Sequence, residues 1–192
     1  VTGGSQGASI LSQVVPDGLA MLPVTFRRRL QVTHQARIED IDAVRAQYAE
    51  HQIPAELATY LPDMPEQLAW AHLVIARAGA STIAELTAAG RPAILVPLPG
   101  ATDDHQTANA REITKAGGAR TIPQPEFTAV ELAKQMQKLG LDPAALENAA
   151  ARAKSVGRPT AVSDLADLVE SLDAPLSRLP VGVPTKPKAV TA

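Results

Sequence analysis

Short apolar runs alternate with longer amphipathic or Ala-rich stretches along most of the chain. Val1-Thr2 opens it and leads into a glycine-rich turn, Gly3-Gly4-Ser5-Gln6-Gly7. A helix is then predicted from about Ala8 to Leu22, bent or broken near Pro16, because proline lacks the N–H and crowds the preceding turn. A strand at Leu30 to His34 and a helix from about Glu39 to Glu50 follow. A short strand near Leu57 to Tyr60 and a short helix around Pro65 to Ala71 lead to the clearest strand, Leu73-Val74-Ile75-Ala76. The next helix, Thr82 to Ala89, ends at Gly90, which suits a left-handed cap. Pro92 to Pro97 reads as another buried strand, a helix runs from about Asp104 to Ala116 and stops at Gly117-Gly118, and Ala119 to Ile122 is the last strand.

Strands and helices alternating at this spacing imply an α/β fold, a Rossmann-like parallel sheet with helices on both faces. Two or three helices close the domain between Thr128 and Leu172, so residues 1–172 read as one domain. A buried parallel strand normally runs about 5–6 residues before a turn of this kind. Only Val1 and Thr2 precede it here, so the first strand reads as truncated and the chain as a piece of something longer. Residues 173–192 hold Pro175, Pro180, Pro184 and Pro187 without apolar periodicity, and read as a disordered tail.

Composition narrows the function classes. Hydrophobic residues make up 45% of the 192, enough for a full core, and with aromatics at 3% that core is built from Ala, Leu, Val and Ile. Net charge is −2, with Lys and Arg scattered, so the basic footprint of a nucleic-acid binder is absent. The only basic run, Arg27-Arg28-Arg29, suits either solvent or anionic lipid headgroups. Without cysteine there is no disulfide, thiolate metal site or Cys nucleophile. No apolar run approaches the roughly 20 residues that span a bilayer.

Three strand-to-helix junctions carry the candidate chemistry, at the edge where such folds bind ligands. In Gly3-Gly4-Ser5-Gln6-Gly7-Ala8 the glycines admit an anion to the backbone, Ser5 adds a hydroxyl, and a helix start offers unpaired N–H groups. The spacing matches neither the dinucleotide fingerprint nor the Walker loop, so a polar strand-to-helix turn explains it equally well. In the second, Arg77 to Glu85, Gly79 and the small residues beside it let a ligand come close to the backbone, and Glu85 could take two neighbouring hydroxyls of a sugar. Thr82-Ile83-Ala84-Glu85 also matches a capping box. In the third, Asp103-Asp104-His105-Gln106-Thr107-Ala108-Asn109, Gln106 and Asn109 share a helix face and could read hydroxyls, while Asp103 and Gln106 could instead form a capping box. No further ligands accompany the Asp pair and His105, so no metal is assigned. Asp40-Ile41-Asp42 reads as an acidic helix start rather than a metal motif.

The order of these segments is more specific than any one of them. Gly-Gly-Ser-Gln-Gly-Ala, then Leu61-Pro62-Asp63-Met64, Arg77-Ala78-Gly79-Ala80, Glu85-Leu86-Thr87-Ala88-Ala89-Gly90-Arg91-Pro92, and Asp103-Asp104-His105-Gln106-Thr107-Ala108-Asn109-Ala110 together resemble the C-terminal domain of the MurG family. These are UDP-N-acetylglucosamine:undecaprenyl-pyrophosphoryl-muramyl-pentapeptide N-acetylglucosaminyltransferases. The resemblance, over roughly residues 1–172, implies the C-terminal half of a GT-B glycosyltransferase and a UDP-N-acetylglucosamine donor site. It implies Ser5 at the diphosphate, the Leu61 backbone at the uracil edge and the Ala80, Ser81 and Thr82 amides near sugar and phosphates. Glu85 would take the ribose, and Gln106 the N-acetylglucosamine, with His105 and Asn109 around it. The reaction would be an inverting displacement without metal or other cofactor, converting lipid I to lipid II at the cytoplasmic face of the bacterial inner membrane. The undecaprenyl-linked acceptor, the membrane-facing surface and the general base belong to the family's N-terminal half, which this sequence lacks, and the helix at about Ala161 to Leu172 would lose a partner surface with it. An independent donor-binding subunit, or a non-catalytic UDP-sugar-binding module, is the alternative; a sugar-nucleotide epimerase fits the motif series less well.

Overall fold

The computed structural model describes residues 1–4 and 7–173. The proline-rich stretch after Asp173 and the Ser5-Gln6 pair lie outside the described residues. The elements run α1 (Ser9–Ala20), α2 (Val24–Arg27), β1 (Val32–Gln35), α3 (Ile41–Glu50), β2 (Ala55–Ala58), α4 (Met64–Trp70), β3 (Val74–Ala76) and α5 (Ala80–Ala89). Then come β4 (Ala93–Leu95), α6 (His105–Ala116), β5 (Ala119–Thr121), α7 (Ala129–Leu139), α8 (Pro143–Ser155) and α9 (Ala161–Asp173).

All strand pairs among the described residues are parallel. β1 pairs with β2, and β4 lies between β3 and β5. Val1 and Thr2 join the two groups: the Val1 nitrogen donates to the Thr33 carbonyl at 2.7 Å, and Gln35 N–H donates to the Val1 carbonyl at 2.9 Å. On the other side Thr2 N–H donates to the Ile75 carbonyl at 2.9 Å, and Arg77 N–H to the Thr2 carbonyl at 3.3 Å. The order is therefore β2, β1, residues 1–2, β3, β4, β5. The chain runs outward to one side and then to the other, so the carboxyl ends of residues 1–2 and β3 flank the point where the order reverses.

Alternate strand residues serve opposite faces, as the pleat requires. Ile75, Ile94 and Val96 join Leu11, Val15, Val44 and Leu132 in one buried cluster, under α1, α3 and α7. Val74, Ala76, Ala93 and Leu95 join Leu86, Ala110, Ile113 and Ala153 in the other, under α5, α6 and α8. Helices on both faces of a parallel sheet were expected and are observed.

Several boundaries differ from the pattern-based reading. α1 continues as one helix with Pro16 inside it, its ring buried, so helix packing outweighs the lost N–H. α2 is a short helix that the pattern missed, too brief to show a period. β1 ends at Gln35 rather than His34, and β2 sits two residues earlier than expected. α5 starts at Ala80, not Thr82. Gly90 does end α5 in the left-handed region, at φ 63°, and Gly117 ends α6 at φ 86°. Residues 1–158 form one compact unit; the described residues from Pro159 on belong to another, in which α9 exposes Val162, Leu165, Val169 and Leu172.

Candidate functional site

Two helices begin where the sheet order reverses, and neither has a side-chain cap. Ala8 is the N-cap of α1 and Gly79 that of α5; both are extended, and neither side chain satisfies a helix N–H. The first intrahelical bonds come from Leu11 N–H to the Ala8 carbonyl at 2.9 Å and from Ile83 N–H to the Gly79 carbonyl at 3.0 Å. The N–H groups before them have no partner within the helix and sit at its positive end. Ala80 and Ser81 are exposed there, and Thr82 is half-buried. Such a site accepts an anion without any Lys or Arg.

The glycine turn before α1 is tightly determined. Gly4 and Gly7 have φ of 78° and 69°, and Gly7 N–H donates to the Gly4 carbonyl at 3.0 Å. A Cβ on Gly3 would lie 2.3 Å from the Ala8 nitrogen, so no side chain fits. Gly79 is different: its φ is −63°, and a Cβ there would meet only the Thr82 hydroxyl at 3.7 Å.

A buried side chain from β1 holds the glycine turn. The Gln35 Oε1 accepts from the Thr2 hydroxyl at 2.9 Å and from Gly3 N–H at 3.2 Å. Its Nε2 donates to the Gly4 carbonyl at 2.8 Å and to the Thr59 carbonyl at 3.3 Å. Thr59 lies two residues before the half-buried Leu61, so one amide ties the glycine turn to the loop after β2. Sequence reading missed Gln35; the available signal was a polar residue closing a strand, Val32-Thr33-His34-Gln35, whose end is buried.

The third junction locks onto the second. Gln106 Oε1 accepts from Ala78 N–H at 3.1 Å and from Leu98 N–H at 3.0 Å. Asn109 Nδ2 donates to the Ala78 carbonyl at 3.1 Å, so the backbone N–H and carbonyl of Ala78 are both held by one face of α6. Gln106 Nε2 and Asn109 Oδ1 make no hydrogen bond among the described residues, and present one donor and one acceptor. Arg77, also missed as a contributor, is buried; it donates to the Val96 and Pro97 carbonyls at 3.1 and 3.2 Å and to Gln124 Oε1 at 2.6 Å. Loss of hydration lowers its pKa from the usual guanidinium value. It braces the ends of β3 and β4 without an acidic partner among the described residues.

Both capping boxes considered for these junctions fail. With α5 starting at Ala80, Glu85 falls in its second turn; it is exposed and makes no hydrogen bond or ion pair among the described residues. The N-cap of α6 is Asp104, whose carboxylate accepts from the Thr107 hydroxyl at 2.8 Å and not from a helix N–H. Asp103 and Asp104 both have positive φ, 53° and 51°. His105 is exposed at the start of the helix. Asp40 opens α3 and accepts from the Ser9 hydroxyl at 2.6 Å, while Asp42 bonds Arg45. Among the described residues no group of three His, Cys, Asp or Glu could hold a metal ion.

The structure thus joins the α5 positions to Gln106 and Asn109 through Ala78, and Leu61 to the glycine turn through Gln35. Ser5 lies outside the described residues. A cavity of about 530 Å³ opens instead toward the amino ends of the strands, lined by Val1, Val32, Leu73 and Trp70. Of the predicted positions only Leu61 borders it.

The glycosyltransferase family 28 C-terminal domain matches residues 1–169. The chain belongs to this family. It is 65% identical to the UDP-N-acetylglucosamine--N-acetylmuramyl-(pentapeptide) pyrophosphoryl-undecaprenol N-acetylglucosamine transferase of Zymomonas mobilis over 88% of this chain and 44% of that protein. It is 68% identical to the enzyme of the same name from Novosphingobium aromaticivorans over 91% of this chain and 45% of that one. The crystal structure of Acinetobacter baumannii MurG superposes with a TM-score of 0.81 at 33% identity, covering 88% of this chain and 50% of the other. The glycosyltransferase VinC, solved with dTDP, shares the fold at a TM-score of 0.58 and 17% identity, over 85% of this chain and 40% of that one. The family-28 chain described here therefore spans a little under half the length of the curated relatives it matches. Among the described residues no helix is long and apolar enough to cross a membrane.

Proposed function

We propose that this chain binds UDP-N-acetylglucosamine and forms the donor half of the inverting transferase that converts lipid I to lipid II. The observation that carries the reading is the pair of uncapped helix starts at adjacent strand ends, in a chain of family 28. Ser5 and the α1 start take the diphosphate, the Leu61 backbone takes the uracil edge, and the amides of Ala80, Ser81 and Thr82 reach the phosphates and sugar. Glu85, exposed and without a partner of its own, accepts from the ribose hydroxyls. Gln106 meets the N-acetylglucosamine through Nε2 and Asn109 through Oδ1, since their other amide atoms hold Ala78; His105 stands beside them.

In the reaction the acceptor oxygen attacks the anomeric carbon, the bond to the diphosphate breaks, and UDP leaves with the added charge. Amides already aimed at that charge stabilise it without reorganising. The acceptor site, the general base and peripheral contact with the cytoplasmic face of the membrane are supplied by the rest of the protein.

Calorimetric titration of UDP-N-acetylglucosamine into the wild type and Glu85→Ala, each with a chelator present, tests this. Losing charge-assisted hydrogen bonds to the ribose should weaken binding about 10–150-fold. Equal affinities would remove Glu85 from the site, and a folded wild type that ignores the ligand would overturn the donor reading.

A further inference from the structure

Gln35 stands at none of the positions read as touching the nucleotide, yet its amide is committed to the backbone around them. The side chain is 5% exposed. Two of its four partners, Gly3 N–H and the Gly4 carbonyl, lie in the glycine turn, and a third is the hydroxyl of Thr2 just before it. The fourth, the Thr59 carbonyl, lies in the loop that leads to Leu61. The amide's orientation follows from these partners, because Oε1 meets two donors and Nε2 meets two carbonyls.

We infer that Gln35 is a positioning residue that sets the phosphate-side turn and the base-side loop in register with each other. The inference rests on the donor-site reading above. A turn with glycines at positions 3, 4 and 7 has many backbone conformations open to it, two of them here at positive φ. Four hydrogen bonds from one buried amide hold Thr2, Gly3 and Gly4 and fix their offset from the Thr59 backbone. A nucleoside diphosphate must find both segments in place at once, whereas the nucleoside alone needs only the second. Thr2 extends the device, since its hydroxyl donates to Gln35 and accepts from Gly4 N–H at 3.3 Å.

The test compares UDP with uridine, each titrated into the 192-residue chain and into Gln35→Met, which keeps the side-chain length and removes every bond. UDP affinity should fall about tenfold or more and uridine affinity only about threefold, following the number of bonds lost on each side. The preference for UDP over uridine therefore shrinks in the variant. A merely structural Gln35 would lower the melting temperature and leave that preference unchanged in the folded protein, and this result overturns the inference. If Gln35→Met does not fold, Thr2→Val must narrow the preference in the same direction by about threefold; an unchanged preference there overturns it as well. A wild type that binds uridine but not UDP, or neither, sinks the donor-site reading and the inference with it.

Discussion

The helix starts that face the reversal point of the sheet differ from those that close the domain. At α7 the Thr128 hydroxyl accepts from Glu131 N–H, and at α8 the Asp142 carboxylate accepts from Ala144 N–H. At α1 and α5 the N-cap residues are Ala8 and Gly79, which have no side-chain oxygen to offer. A cap contributes about 1 kcal/mol. That stabilisation is taken at α7 and α8; α3, α4 and α6 go without it although Asp40, Asp63 and Asp104 stand at their N-caps, whereas at α1 and α5 the N-cap residue has no side chain that could supply it. At α5 the uncapped donors cost little in the absence of ligand because Ala80 and Ser81 are exposed to water. Inside the core the same shortage is expensive: His34 is fully buried, its Nδ1 pairs with the Tyr48 hydroxyl at 2.9 Å, and its Nε2 has no partner among the described residues.

The largest expected effect breaks the open end outright. Gly3→Ala places a Cβ against the Ala8 nitrogen and should cost about 3 kcal/mol in chemical denaturation, together with UDP-N-acetylglucosamine binding. A variant of native stability would show that the turn is looser than its packing implies.

Acid sharpens the contrast from the core side. Burial lowers the His34 pKa from 6.5 to about 3, with the positive chain terminus acting in the same direction. The unfolded chain therefore binds a proton that the folded one refuses, so this contribution is complete above pH 6.5 and is lost as pH falls toward about 3. His34→Gln should flatten the stability profile in that window by up to one proton, about 1.4 kcal/mol per pH unit. Parallel profiles for the two proteins would mean that His34 charges without penalty.

The smallest effect is the most discriminating. Gly79→Ser suits the extended backbone at that position and gives α5 the cap it lacks, so stability should rise by a few tenths of a kcal/mol. Donor affinity should fall, because the new hydroxyl occupies an N–H meant for the ligand. As the matched control, Thr128→Ala should cost about 1 kcal/mol and leave affinity unchanged. If Gly79→Ser binds as tightly as the wild type, the open start of α5 is not part of the site.

The alternation of apolar runs was enough to read the parallel α/β fold and the helix stops at Gly90 and Gly117, because both depend on local chemistry. Period-2 and longer amphipathic patterns specify element type, and a missing Cβ permits the left-handed stop. The candidate residues Glu85, Gln106 and Asn109 were visible for the same reason, lying just beyond strand ends. Their surroundings were not visible. Whether Thr82 or Ala80 begins α5 is a matter of two residues in the sequence, yet it decides whether Glu85 caps its own helix or stays open to a ligand. Pro16 likewise argues locally for a break, and only its burial between packed elements explains why α1 runs through it.

By itself the sequence determined which segments are strands and helices, roughly where they stop, and which junctions are rich in glycine, hydroxyl, amide and carboxylate groups. Tertiary structure alone decided what those groups are bonded to. Gln35 and Thr59 are 24 residues apart, and Gln106 reaches back 28 residues to Ala78. Hydrogen bonds over such separations exist only once the strands have stacked in their particular order, so no local pattern encodes them. The order that reverses beside Thr2 brings the starts of α1 and α5, neither with a capping side chain, together at neighbouring strand ends.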